Sequence, residues 1–252
     1  MQATAQDLKA ELEKSYKAFA DAVLAKDPIK FKSAMSASAY GNLKNRMSAT
    51  GSKFPDAFFA AGPMMLKDLT KLKYHRALAN GVTANAIYSQ KEEEETTLVI
   101  LKFVKEATDW KFDLFDMKGS DEINKAANAG DFSFLSGKEY QPSGIRPTIP
   151  AEIVAGEVQG ILDVFCYEYK VSVTINGNEQ STTDNKSSSG WILGGLKKGK
   201  NKITITAKPV EGGKPATITI KIRIKDGDEE NTVFSLEQNS PPVVMEKEFE
   251  VR

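Results

Sequence analysis

The sequence predicts an α+β amino-terminal half followed by an all-β carboxy-terminal half. Three observations carry this. Apolar residues recur at helical spacing through the first 70 or so positions. From Tyr74 the period changes to two. After residue 150 helical patterning nearly vanishes, and short alternating stretches are separated by Gly, Asn and Pro. A chain of 252 residues, 40% apolar and 27% charged, has enough material for one or two domains with real cores.

Leu8, Leu12, Tyr16, Phe19 and Val23 define the apolar face of a first helix that stops near Lys26. Asp27-Pro28 then reads as a helix start, with Asp capping free amides and Pro at the first helical position. Ile29, Phe31 and Met35 follow on a second, shorter helix. Pro55 opens a third, carrying Phe58 and Phe59, and Gly62-Pro63 kinks or restarts it before Met64 and Met65. Val82, Ala84, Ala86 and Tyr88 alternate along a strand, and the charge run from Lys91 to Glu95 reads as a solvated loop. Thr96 to Lys105 forms the next strand. Glu106 to Asp109 turns the chain, and a partner strand returns with Trp110, Phe112 and Leu114 expected on one side.

Residues 119–150 read as a linker. Ser120 and Asp121 cap a short helix, and Gly130, Gly137, Pro142, Gly144, Pro147 and Pro150 then break the chain repeatedly. In residues 151–252, Val171 to Ile175, Ile203 to Thr206, Ile218 to Ile224 and Met245 to Val251 alternate as strands of an antiparallel β-sandwich. The expected organisation is therefore residues 1–118, a linker at 119–150, and residues 151–252.

Composition removes several function classes. Lys+Arg and Asp+Glu are 34 each and no segment concentrates positive charge, which leaves no nucleic-acid surface. The longest apolar run is far short of a membrane span. One cysteine, Cys166, and one histidine, His75, exclude internal disulfides and Cys- or His-rich metal centres. No cofactor or metal ligand set is expected.

The order of three helices, a strand, a charged loop and a long hairpin resembles the nuclear transport factor 2-like superfamily, which includes ketosteroid-isomerase-like proteins. The likeness rests on Ala18 to Val23 with Lys26-Asp27 after it. It rests also on Phe103-Val104-Lys105-Glu106 followed by Trp110-Lys111-Phe112-Asp113. It implies a cone-shaped curved antiparallel sheet wrapped with three helices around a pocket, covering about residues 5–118. The run Gly195 to Ile205, with its Leu196, Gly199, Asn201 and Ile203, is similar to bacterial immunoglobulin-like domains. That likeness implies an all-β immunoglobulin-like sandwich and an extracytoplasmic setting, periplasmic or secreted. The opening Met1-Gln2-Ala3 then reads as a start codon placed before a mature sequence without its signal peptide.

Within the implied cone, Tyr16, Phe19, Phe58, His75, Tyr88, Trp110 and Phe112 are the expected ligand-binding residues, with Phe59, Met64 and Met65 at the mouth. Tyr16 is either a donor to an oxyanion or a core tyrosine with one polar partner. His75, expected at the end of the third helix, is either a general base or a partly exposed terminal residue. The family's catalytic carboxylate follows the second helix, but Ser36 to Met47 holds neither Asp nor Glu. Proton abstraction then lacks its base, and no catalytic residue is assigned. Asp109, Asp113 and Asp116 read as a solvated strand face, and Asp226 to Glu230 as an acidic hairpin tip without a calcium-loop pattern.

The expected function is a non-enzymatic binding or interaction protein, its partner a small apolar molecule or another protein. The alternative is a ketosteroid-isomerase-like enzyme with Tyr16 and His75 at the pocket. Leu98, Ile100, Val104 and Phe115 on the second face of the hairpin imply a covering element, either part of this chain or a second copy in a homodimer.

Overall fold

A computed structural model describes residues 5–93, 95–213, 216–226, 229–241 and 243–252. The architecture is α+β, and the chain divides into two compact units. The first comprises residues up to Leu43 together with Pro55–Pro150; the second comprises Lys44–Phe54 and Ala151–Arg252.

In the first unit, α1 (Ala5–Leu24) buries Leu12, Tyr16, Phe19 and Val23, the stripe its spacing dictates. Asp27 caps α2 (Pro28–Ala34), accepting from the amides of Ile29 and Lys30 at 3.1 and 3.0 Å. Ala37 to Met47 lies in a helix, α3 (Ala37–Ala49), which Ser36 immediately precedes. Strand-like pairing there is limited to a single parallel bridge from Met35 to Phe112. The helix α4 (Asp56–Ala61) ends at Gly62, and Pro63 opens a 3-10 turn over Gly62–Met65.

Four antiparallel strands follow in sequence order: β1 (Lys73–Asn80), β2 (Thr83–Glu92), β3 (Glu95–Glu106) and β4 (Asp109–Lys118). Register opposes Tyr88 to Val99, Leu101 to Phe115 and Phe103 to Phe112, so these residues share the α1 face. A β-bulge between Lys102 and Phe103 corrects the expected alternation of β4. Asp113 is the extra residue there. It puts Phe112 and Phe115 on one face and turns Leu114 out to 46% exposure.

The opposite face is covered by residues that read as a linker. The helix α5 (Asp121–Asn128), capped by Ser120, and 3-10 turns at Ser133–Ser136 and Lys138–Tyr140 lie on it. Ile123, Leu135 and Tyr140 form one buried cluster with Ile87, Leu98 and Ile100, with Phe132 and Phe134 against it. Asn85 fixes the layer by donating to the Tyr140 carbonyl at 3.0 Å. The segment 119–150 is thus a covering layer of the first unit, and the motive for a dimer through this face falls away.

The second unit holds β5 (Gly160–Ile175), β6 (Asn178–Trp191), β7 (Gly199–Pro209), β8 (Thr217–Asp226), β9 (Glu229–Asn239) and β10 (Val244–Val251). The order is β10-β7-β5-β8-β9, with β6 also on β5. Gly160–Cys166 of β5 pairs with β8, and Tyr169–Ile175 pairs with β7. The change of partner falls at a bulge between Cys166 and Lys170, where Glu168 has φ 64°. Leu162, Val164 and Cys166, alternate residues Val171, Val173 and Ile175, Ile203 and Ile205, and alternate residues Ile218, Ile220 and Ile222 supply a single core. Lys44–Phe54 belongs here because Asn45, 4% exposed, donates to the Ala151 carbonyl at 2.9 Å and accepts from the Ile153 amide at 3.1 Å. Gly156 allows a close approach: a Cβ there would meet the Leu196 and Gly194 carbonyl oxygens at 2.5 and 2.6 Å. The Asp226 to Glu230 tip contains Gly227 and Asp228, which lie outside the described residues, as does the opening Met1-Gln2-Ala3.

Candidate functional site

Four of the seven expected ligand-binding residues come together, and they fill their own space. Phe112 lies 4.4 Å from Phe19, 5.3 Å from Tyr16 and 5.9 Å from Phe103, ring centroid to centroid. Phe31 joins the cluster 5.8 Å from Phe19 and 5.0 Å from Phe58. Tyr16, Phe19, Phe58 and Phe112 are all buried. The tilted and edge-on arrangements are those that aromatic quadrupoles favour.

Tyr16 is a core tyrosine with its hydroxyl engaged. The Lys67 amide donates to it at 2.7 Å, and it donates to the Lys67 carbonyl at 3.2 Å. Burial raises its pKa. Tyr88, also buried, donates to Glu13 at 2.8 Å, and Glu13 accepts from Lys9 at 2.7 Å. Burial, then that carboxylate, pushes the Tyr88 phenol up.

His75 is not at a helix end; it lies in β1, at the irregularity between Tyr74 and Arg76. Its Nε2 is 2.8 Å from the Ser89 hydroxyl, and its ring sits 4.0 Å from the Phe132 ring. Burial lowers its pKa, and Lys73 adds to the effect. Phe132 packs on the covering layer, whereas Tyr16 packs on Phe112 across the α1 face. The histidine and the tyrosine therefore occupy opposite faces of the sheet.

Trp110 is half-buried and opens onto a different space. A groove of about 440 Å³ runs between α1 and α2 and ends at Trp110 and Lys111 of β4. Ala18 and Ala22 of α1, Ala25 just after its end, and Ala34 of α2 line it. Lys105 stands over the Trp110 ring, its Nζ 5.4 Å from the centroid. Sequence reasoning named Trp110 but not the alanines. Alanines at every third or fourth position of an amphipathic helix read equally well as core, and only the placement of α2 leaves them lining a groove.

A second feature was legible only in the structure. Ser36 donates to Asp113 and accepts from the Ala39 amide at 3.0 Å, while Glu106 accepts from the Ala37 amide at 2.8 Å. Burial raises the Asp113 carboxyl, against the pull of Ser36 and Lys102. Carboxylates absent from Ser36 to Met47 thus arrive from the β3-β4 hairpin, but Glu106 accepts from the first amide of α3 and Asp113 from the Ser36 hydroxyl that caps it. They close that helix end and line no part of the groove.

In the second unit Arg223 reaches Asp163 through Nε at 2.7 Å and Nη2 at 3.1 Å, and Ser189 donates to Asp163 at 2.6 Å. Arg223, then Ser189, holds the Asp163 carboxyl below its ordinary value. Cys166 is buried, with Sγ 3.2 Å from the Lys186 carbonyl, and burial pushes the thiol up. Such a thiol is inert. Among the described residues no group of three or more His, Cys, Asp or Glu side chains is placed to hold a metal ion. Among them, too, no helix is long and apolar enough to cross a membrane. No family model, curated protein or solved structure matches the chain.

Proposed function

We propose that this protein is a non-enzymatic binding protein whose site is the groove between α1, α2 and Trp110. In this reading the first unit is a nuclear transport factor 2-like cone and the second an immunoglobulin-like sandwich serving as spacer or adhesion module in an extracytoplasmic protein. The sequence likenesses at Ala18 to Val23, at the hairpin through Trp110 to Asp113, and at Gly195 to Ile205 support those assignments. One observation carries the functional part. The space where a ligand of such a cone would sit is occupied by Tyr16, Phe19, Phe31 and Phe112, and the Tyr16 hydroxyl is spent on Lys67. Binding must then use a surface outside that cluster, and the groove offers concavity, apolar walls and an aromatic end. The isomerase-like alternative needs Tyr16 and His75 on one cavity, and they lie on opposite faces of the sheet.

The test is a thermal-shift screen of small carboxylates, steroids and sugars on the wild type and on Ala18→Phe, which fills the groove from an exposed position. A compound bound to the native state raises the melting temperature by mass action. The expected result is a shift in the wild type that Ala18→Phe abolishes. A shift that survives Ala18→Phe, or turnover of a ketosteroid by the wild type, contradicts the proposal.

A further inference from the structure

Walls and rim of the groove differ in chemistry. The walls are small and apolar, and Trp110 supplies the one large ring. The rim carries charge of one effective sign. Asp21 is neutralised within its own helix, holding the Lys17 ammonium at 2.7 and 2.9 Å. Lys30 is only loosely engaged, 3.5 Å from Asp27, whose Oδ1 already serves the first amides of α2. Lys111 makes no ion pair among the described residues. Lys105 adds a further cation above the Trp110 ring.

A separate observation comes from Ser15, which also lines the groove. Its Oγ is buried and has no hydrogen-bond partner. Buried hydroxyls are nearly always satisfied, and leaving one unpaired is costly. That oxygen has essentially no accessible surface, so it is a cost to the fold and adds no contact for a groove ligand.

Resting on the reading of the groove as the binding site, we propose that its ligand is a small amphipathic carboxylate. The apolar body lies against Ala22, Ala34 and Trp110. The carboxylate meets Lys111, with Lys30 across the groove. Size supports a small molecule, since about 440 Å³ falls within the range of ligand pockets. Charge supports an anion: Lys111 and Lys105 make no ion pair among the described residues and Lys30 is only loosely paired, so a carboxylate at this end of the groove meets uncompensated positive charge.

The experiment uses Trp191→Phe as background, because the chain has two tryptophans and Trp110 then reports alone. Octanoate and 4-phenylbutyrate are titrated against Trp110 emission, each beside its primary amide. The expected result is saturable binding of both acids, with the amides about tenfold weaker. Lys111→Gln weakens the acids about tenfold and leaves the amides unchanged, and Lys111→Arg restores the acids. Circular dichroism and a melting curve confirm that both variants fold. Acids and amides that bind alike overturn the carboxylate assignment and leave the groove reading standing. Acid binding unaffected by Lys111→Gln overturns the role of Lys111. No saturable signal from any probe up to 20 mM overturns the inference and counts against the groove itself.

Discussion

Replacing Phe112 with Ala removes the ring on which the filled interior depends. Phe112 is 3% exposed and touches three other rings, Tyr16, Phe19 and Phe103. Phe→Ala in a core costs about 3–5 kcal/mol, and each aromatic pair adds about 0.5–1.5 kcal/mol beyond its buried area. Three such pairs place the expected loss near the top of that range, at about 4–5 kcal/mol. For a unit of this size each kcal/mol lowers the melting temperature by about 3 °C, so a fall of about 12–15 °C is expected. The assay is urea unfolding followed by Trp110 emission in the Trp191→Phe background, which reports the first unit. The midpoint should drop with the slope unchanged. The variant should also gain affinity for benzene, because a hole lined by Tyr16, Phe19 and Phe103 is apolar and stays dry. A loss below about 1 kcal/mol without benzene binding would refute the reasoning, since it would mean that Phe112 fills no space its neighbours need.

Three further outcomes are expected. Asp163→Asn should cost the second unit about 2 kcal/mol at pH 7, from charge-assisted hydrogen bonds to Arg223 and Ser189, read by Trp191 emission in a Trp110→Phe background. Because the folded carboxyl is held below its ordinary value, this stability is present above about pH 4 and is lost as the pH falls through the folded value; the variant should lack that acid limb. Tyr16→Phe should cost about 1 kcal/mol by urea unfolding, since it removes the hydrogen-bond partner of the half-buried Lys67 amide, and should leave ligand affinity in the groove unchanged. His75 has a lowered folded pKa, so the unfolded chain binds the proton more readily and stability falls as the pH drops below about 6.5; His75→Gln should flatten the urea midpoint between pH 7.5 and pH 5.

Much of the architecture was legible because it follows from periodicity. The α1 stripe, the Asp27-Pro28 start, the Gly62-Pro63 restart and the alternation of β7, β8 and β10 all appear where spacing puts them. What escaped depends on long-range packing. The bulge at Asp113 leaves no mark in composition, yet it reverses the facing of Leu114 and Phe115. Ile123, Leu135 and Tyr140 are too sparse among Gly and Pro to signal a buried layer, although they cover Leu98 and Ile100. The strand β6 is so rich in Ser, Thr and Asn that its pairing with β5 shows only in three dimensions. His75 follows a run of 3-10 turns that reads as helix, and its strand role comes from pairing with β2. For the site, the aromatic members were legible as apolar residues, but whether they line a cavity or fill it is a matter of volume, which sequence does not encode.

The central claim, that binding uses the groove and not the aromatic interior, is tested most directly by amide chemical-shift mapping. The wild type is labelled with ¹⁵N and titrated with 4-phenylbutyrate. The account predicts shifts at Ala18, Ala22, Ala25, Ser33, Ala34 and Trp110, with the amides of Leu12, Phe31 and Phe103 unmoved. Saturable shifts centred on Phe31 and Phe103, with the groove residues silent, would contradict it.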